Sequence, residues 1–297
     1  MKVKVAAYAK INLMLDIVSL RTDGYHDLFM IMQSVGVHDI VTVSENKSRK
    51  ISITCAEEGI PLDESNICWK AAKEFFKYTK KRNKGINIDI QKKIPHAAGL
   101  AGGSADGAAV IKALNEIYCT ELSDKEMCVI GVKIGADLPF CLTGGTLLAQ
   151  GIGDVLSKTK PLKRCFIVLA KPDYSVNTGY AYRQFDSIGK MRTPDKFGML
   201  CAIQSGDLKA ICSKLDNVFE QFIEVPHRVD IKHTMRECGA IGTCMSGSGP
   251  TVYGIFENKE DAEHACDALK PFARDIELCR PVSKGCKILK ILSLIHI

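Results

Sequence analysis

The stretch IPHAAGLAGGSADGAAVIKALN, residues 94 to 115, constrains the chain most. Gly99, Gly102, Gly103 and Gly107 fall within nine positions, behind Pro95 and at the start of an alanine-rich helical pattern. Each glycine in a helix costs roughly 1 kcal/mol relative to alanine, so this density needs a reason. The segment SADGAAVIKALNEIY reads as a helix whose N-terminus lies at the glycines. The first N–H groups of a helix lack partners and carry about half a positive charge. Without Cβ atoms in the way, an anion can approach them closely. The stretch is therefore read as a phosphate loop; the competing reading is a tight turn with close helix packing. It contains neither G-x-x-x-x-G-K-S/T nor G-x-G-x-x-G, which excludes a Walker A loop and a Rossmann fingerprint.

The rest of the chain bounds the context. Its 297 residues suffice for one large domain or two ordinary ones, and 46% hydrophobic with 25% charged residues is a globular composition. No apolar run reaches the roughly 18 to 20 residues of a membrane span. The opening MKVKVAAYAKINLMLDI has no long apolar core and reads as a mature cytosolic start. The 13 cysteines contain no C-x-x-C pair and the seven histidines no i, i+4 pair, so reduced thiols are expected, with neither a disulfide framework nor a zinc site. The net charge of +6 has its densest basic run at KYTKKRNK, residues 77 to 84. With few aromatics among its charges, that run reads as a solvated loop, the alternative being a nucleic-acid patch.

Strand and helix patterns divide the chain softly near residue 153. KVKVAAY, INLMLDI, DIVTV, ISITC and GINIDIQ read as strands. SNICWKAAKEFFKYT reads as a helix capped by Ser65 or Asn66, and SDKEMCVIGVKIG as a helix with a Ser123–Glu126 capping box. Beyond residue 153, RCFIVLAKP, TVYGIFE and DIELCRP read as strands, and VDIKHTMRECG and NKEDAEHACDALK as helices. This order predicts an α+β sandwich of antiparallel sheet and helices. The closing ILSLIHI leaves two readings open, a last strand or an added tail, and is assigned no function.

PHAAGLAGGS resembles the phosphate loop of the GHMP kinases, the family of galactokinase, homoserine kinase and mevalonate kinase. GTCMSGSGPTVYGIF, residues 242 to 256, is similar to that family's C-terminal glycine motif. AKINLMLDIVSLRTDGYHDL and IGADLPFCLTGGTLLAQGIGD resemble the branch that acts on 4-diphosphocytidyl-2-C-methyl-D-erythritol in the non-mevalonate isoprenoid route, with R-x-D-G-Y-H the most specific element. Gly107 stands where an alanine is usual, and serines common elsewhere in the family are absent at Gly102 and Gly103, so no serine magnesium ligand carries over there.

The resemblance implies a two-domain fold. Residues 1–153 would form a ribosomal protein S5 domain 2-like domain and residues 154–297 a ferredoxin-like α/β sandwich, with the active site in the cleft between them. ATP would lie on Pro95, His96, Ala97, Ala98, Gly99, Leu100, Ala101, Gly102, Gly103, Ser104 and Ala105. Lys10 and Asp137 would be catalytic, and Asn12, Tyr25, His26, Thr178 and Tyr182 would bind the cytidine substrate. ATP and magnesium are the implied cofactors, with no dedicated metal ligand. A cytoplasmic enzyme, a monomer or weak homodimer without nucleic-acid or membrane partners, is expected. The rival readings are a sister kinase for homoserine, mevalonate or a sugar, and an RNA-binding module built on the basic run.

Overall fold

The computed structural model describes residues 1–189 and 191–292. KVKVAAY and INLMLDI are one element: β1 (Lys2–Leu20) runs antiparallel to β2 (His26–Glu45) along almost its whole length. Register shifts at Tyr8/Ala9, Asn12/Met14 and Ile17/Ser19 let so long a ribbon bend around its core. DIVTV is the end of β2, followed by β3 (Ile51–Cys55). Next come α1 (Ile67–Thr79), β4 (Ile86–Gln91) and α2 (Gly102–Ile117). Asn66, not Ser65, caps α1 by accepting the Cys68 N–H at 2.8 Å. Then follow α3 (Asp124–Val132), with the expected Ser123–Glu126 capping box, and α4 (Leu138–Thr143), β5 (Thr146–Gln150) and β6 (Val155–Lys158).

The second half contains β7 (Phe166–Lys171), α5 (Thr178–Ile188), α6 (Lys196–Ser205), α7 (Leu208–Ser213) and the two-residue β8 (Asp216–Asn217). It continues with α8 (Arg228–Glu237), β9 (Gly242–Met245), β10 (Val252–Phe256), α9 (Lys259–Ala268), β11 (Asp275–Cys279) and β12 (Cys286–Leu292). Four strands form an antiparallel sheet in the order β11-β7-β10-β9; three lie in the segments read as strands, and β9 adds a fourth outside them. The other eight form the first sheet, with the path β12-β1-β2-β4-β3.

A single cut at residue 153 does not follow these sheets. Both β6 and β12 lie beyond it, yet β6 pairs with β5 and β12 with β1. The last segment therefore returns to close the edge that β1 would otherwise leave open. Ile291 and Leu292 of the closing apolar segment belong to β12, and residues 293–297 lie outside the described residues.

Helix α2 is buried over most of its length and packs on β1 and β2. Its small residues permit that approach, and Gly107 is one of them. A Cβ at Gly107 would lie 2.7 Å from Ile67 Cγ2. The missing methyl thus makes room for α1, a packing reason that outweighs the lost helix propensity. The basic run leaves α1 through Lys80, at φ 58°, and continues in an exposed loop.

Candidate active site

The loop before α2 turns through Ala97, Gly99 and Ala101, all at positive φ. Ala101 is the N-cap residue but supplies no side-chain hydrogen bond. The first amides of α2 therefore open onto a cavity of about 900 Å³ lined by Gly102, Gly103 and Ser104. Pro95, His96, Ala97, Ala98, Gly99 and Ala101 line it as well. Leu100 and Ala105 do not; both are buried beneath the loop.

The second glycine segment, between β9 and β10, locks against this loop. Ser246 Oγ donates to Gly99 O at 2.9 Å. A Cβ on Gly99 would lie 2.2 Å from Ser246 O, and one on Gly247 would lie 3.0 Å from Gly99 O. The two motifs, distant in sequence, are glycine-rich at this point because two backbones touch.

A buried ionic cluster holds the loop from behind. Lys92 Nζ bonds to both Asp39 and Asp106, the latter at 2.8 Å. Asp39 also accepts the backbone N–H groups of Lys93 and Ile94, at 2.6 and 2.8 Å. Burial opposes the charge on Lys92, but Asp106 and Asp39 outweigh it and raise its pKa to about 12. Burial pushes the Asp106 carboxyl upward; Lys92 pulls it back and Asp39 adds to the rise. Asp106 Oδ1 is buried and has no partner among the described residues.

Lys10 and Asp137 both line the cavity. Lys10 is only 5% exposed, and burial pushes its pKa down while Asp137 exerts the largest opposing pull. The two form no direct ion pair among the described residues. Asp137 sits at the N-cap position of α4, where its side chain makes no capping hydrogen bond. Its carboxylate is thus not explained by helix capping. Asn12 departs from expectation: it is fully buried and does not line the cavity. Its Oδ1 accepts from Lys10 Nζ at 2.7 Å and from Gly247 N at 3.0 Å. Asn12 and Lys10 do share one face of β1; the amide oxygen braces the lysine and the second glycine segment, while Nδ2 faces Met30 Sδ at 3.4 Å.

Tyr25, His26, Thr178 and Tyr182 come together across 150 residues of sequence and line the same cavity. Tyr25 stands 62% exposed at its edge. Tyr182 stacks on His26, with centroids 4.9 Å apart. Thr178 Oγ1 lies 3.2 Å from Ser248 Oγ, which ties α5 to the second glycine segment. Sequence reasoning missed Asp186, Lys92 and Asp106, and also the wall formed by residues 60, 61 and 65–67; each is placed by long-range contacts that no local pattern encodes. Among the described residues no group of three His, Cys, Asp or Glu side chains gathers as a metal cage. Two carboxylates, Asp137 and Asp106, do line the cavity beside the loop.

Comparison with known proteins agrees with this geometry. Residues 66–145 match the model for the GHMP kinases N terminal domain, and residues 199–274 the model for the GHMP kinases C terminal domain. A 4-diphosphocytidyl-2-C-methyl-D-erythritol kinase of Clostridium acetobutylicum is 44% identical over 261 residues, covering 87% of this chain and 92% of its own. The protein of the same name from Alkaliphilus metalliredigens is 41% identical, covering 95% and 98%. A crystal structure of 4-(cytidine 5'-diphospho)-2C-methyl-D-erythritol kinase superposes with a TM-score of 0.74 at 27% identity, covering 95% and 99%. Homoserine kinase from Cytophaga hutchinsonii superposes at 0.78 with 19% identity, covering 97% of each chain, which shows the shared fold alone.

Proposed function

We infer the reaction from one premise: the chain belongs to the 4-diphosphocytidyl-2-C-methyl-D-erythritol kinases, a branch of the GHMP kinases. It transfers the γ-phosphoryl group of ATP to the 2-hydroxyl of 4-diphosphocytidyl-2-C-methyl-D-erythritol, a step of the non-mevalonate isoprenoid route. The observation that carries this reading is that one cavity gathers the open α2 amides, the Lys10 and Asp137 charges, and the Tyr25, His26 and Tyr182 rings.

Phosphoryl transfer demands positioning and neutralisation more than covalent chemistry. The α2 amides and the loop backbone hold the phosphates. Asp137 accepts the proton of the attacking hydroxyl, since a carboxylate within hydrogen-bond reach is a competent base. Lys10, braced by Asn12, faces the charge that develops on the phosphoryl oxygens. Magnesium accompanying ATP needs only one or two carboxylates besides phosphate and water; Asp137 and Asp106 suit that role, and the ion neutralises phosphate charge when bound. The low exposure of Lys10 and Asn12 excludes water from this side of the reaction.

The base is gripped by rings. Tyr25, exposed and without a stacking partner among the described residues, stacks on the cytosine, and Thr178 and the edge of Tyr182, whose face lies on His26, border the other side. Stacking of this kind contributes about 1 to 3 kcal/mol per base. Tyr25→Ala is therefore expected to raise the substrate KM roughly 5- to 150-fold, with the ATP KM unchanged and Tyr25→Phe close to wild type. Steady-state kinetics with each substrate varied in turn checks this. Equal losses for both substrates would mean that the turn, not the base, depends on Tyr25.

A further inference from the structure

One face of α5 carries a carboxylate that the mechanism does not use. Thr178, Tyr182, Phe185 and Asp186 follow one another at helical spacing, and the last three meet His26. Tyr182 covers a face of the imidazole, at 4.9 Å and 21°, and Phe185 meets it edge-on at 5.9 Å and 86°. His26 is only 8% exposed. A ring packed in this way has little freedom to swing, and a flip about its own axis is the main freedom left.

Asp186 selects between the flips. Its Oδ1 lies 2.7 Å from His26 Nε2. An ionised carboxylate only accepts hydrogen bonds, so Nε2 carries a proton. Nδ1 makes no hydrogen bond among the described residues, although His26 lines the cavity. In the neutral ring, protonation at Nε2 makes Nδ1 an acceptor, just as a second partner fixes the tautomer of metal-bound histidines.

We propose that Asp186 is a positioning residue that fixes His26 as the Nε2–H tautomer and so presents Nδ1 to the exocyclic amino group of cytosine. Uracil places a carbonyl oxygen at that position, which would set two acceptors against each other. The contact thereby selects cytidine over uridine, because a site built for one hydrogen-bond polarity leaves buried groups unpaired with the other. The proposal rests on the cytidine reading of this pocket.

Two measurements test it. Long-range ¹H–¹⁵N correlation on ¹⁵N-histidine protein, with His26 assigned by loss of its signals in His26→Asn, should report Nε2–H in the wild type. Asp186→Ala should show a mixture of tautomers. Kinetics with the cytidine substrate and its uridine analogue form the second arm. Asp186→Asn and Asp186→Ala should each lower the cytidine-over-uridine ratio of kcat/KM by about tenfold, the worth of one hydrogen bond. The loss should fall in KM with kcat and the ATP KM unchanged, and Asp186→Glu should restore most of the ratio. Asp186 is a half-exposed helix residue, so thermal melting should find these variants folded. A wild-type His26 that is Nδ1–H or doubly protonated would overturn the proposal. So would variants that keep the wild-type cytidine preference. A wild type that turns over neither nucleotide would instead remove the cytidine reading itself, and this proposal with it.

Discussion

Asp137→Asn is expected to lower kcat by about 10² to 10⁴-fold, the range that general-base catalysis supplies. Asparagine keeps the size and part of the hydrogen bonding but removes both the base and its charge. The carboxylate makes no capping bond to α4, so its loss should leave the fold intact. Substrate affinity measured by calorimetry should change little, because the interaction belongs to the transition state. Lys10→Met should also reduce kcat. If lysine and aspartate act as one unit, the double variant should be little worse than either single one. The pull of Asp137 on Lys10 favours that outcome, since it is the largest effect opposing the burial that lowers the lysine pKa. Fully additive losses would mean that they work independently. A folded Asp137→Asn protein with near-normal kcat would leave orientation and Lys10 to carry the transfer.

Gly99→Ala should damage stability and ATP binding together. Gly99 has φ +73°, where an L side chain is strained by roughly 1 to 2 kcal/mol. Its added Cβ would also fall 2.2 Å from Ser246 O, a backbone atom that cannot simply rotate away. The loop and the second glycine segment would have to part. We expect a combined cost on the order of 3 to 5 kcal/mol, at the severe end for a single substitution. It should appear as a lower Tm and as an ATP KM raised tenfold or more, with the cytidine KM less affected. Gly59→Ala is the control: φ there is +80°, but nothing lies within 4 Å of the new Cβ. It should show the conformational strain alone. If Gly99→Ala behaves like Gly59→Ala, the contact between the two motifs does not hold the phosphate loop.

What the sequence discloses and what it hides divide along contact range. The Ser123–Glu126 capping box and the helix behind the glycines depend on neighbours a few residues apart, and they are legible, as is the cap of α1 to within the pair Ser65 and Asn66. The four glycines also announce a close approach, though not that part of what approaches is Ser246. Gly107 looks like a departure from the usual alanine until Ile67 is seen against it. The return of β12 to β1 joins the two ends of the chain, so no local pattern predicts the domain boundary it blurs. Asn12 and Lys10 show what spacing alone leaves out: both face one way on β1, but only the structure shows that the amide oxygen accepts from Lys10 and Gly247. Asp39, Lys92 and Asp106 are ordinary charged residues in sequence, and only burial makes them a cluster.

The fold does not distinguish this chain from a homoserine kinase, whose structure superposes as well as that of the cytidine-linked enzyme. On the proposed reading the distinction lies in the pocket around Tyr25 and His26, and a single assay addresses it. Coupled ADP release is measured with 4-diphosphocytidyl-2-C-methyl-D-erythritol, methylerythritol phosphate, homoserine and mevalonate, each at saturating ATP. The pocket of Tyr25, His26, Thr178 and Tyr182 predicts turnover of the first alone, because the others lack a base to stack. Turnover of homoserine or mevalonate at a comparable rate, with none of the cytidine compound, would contradict it.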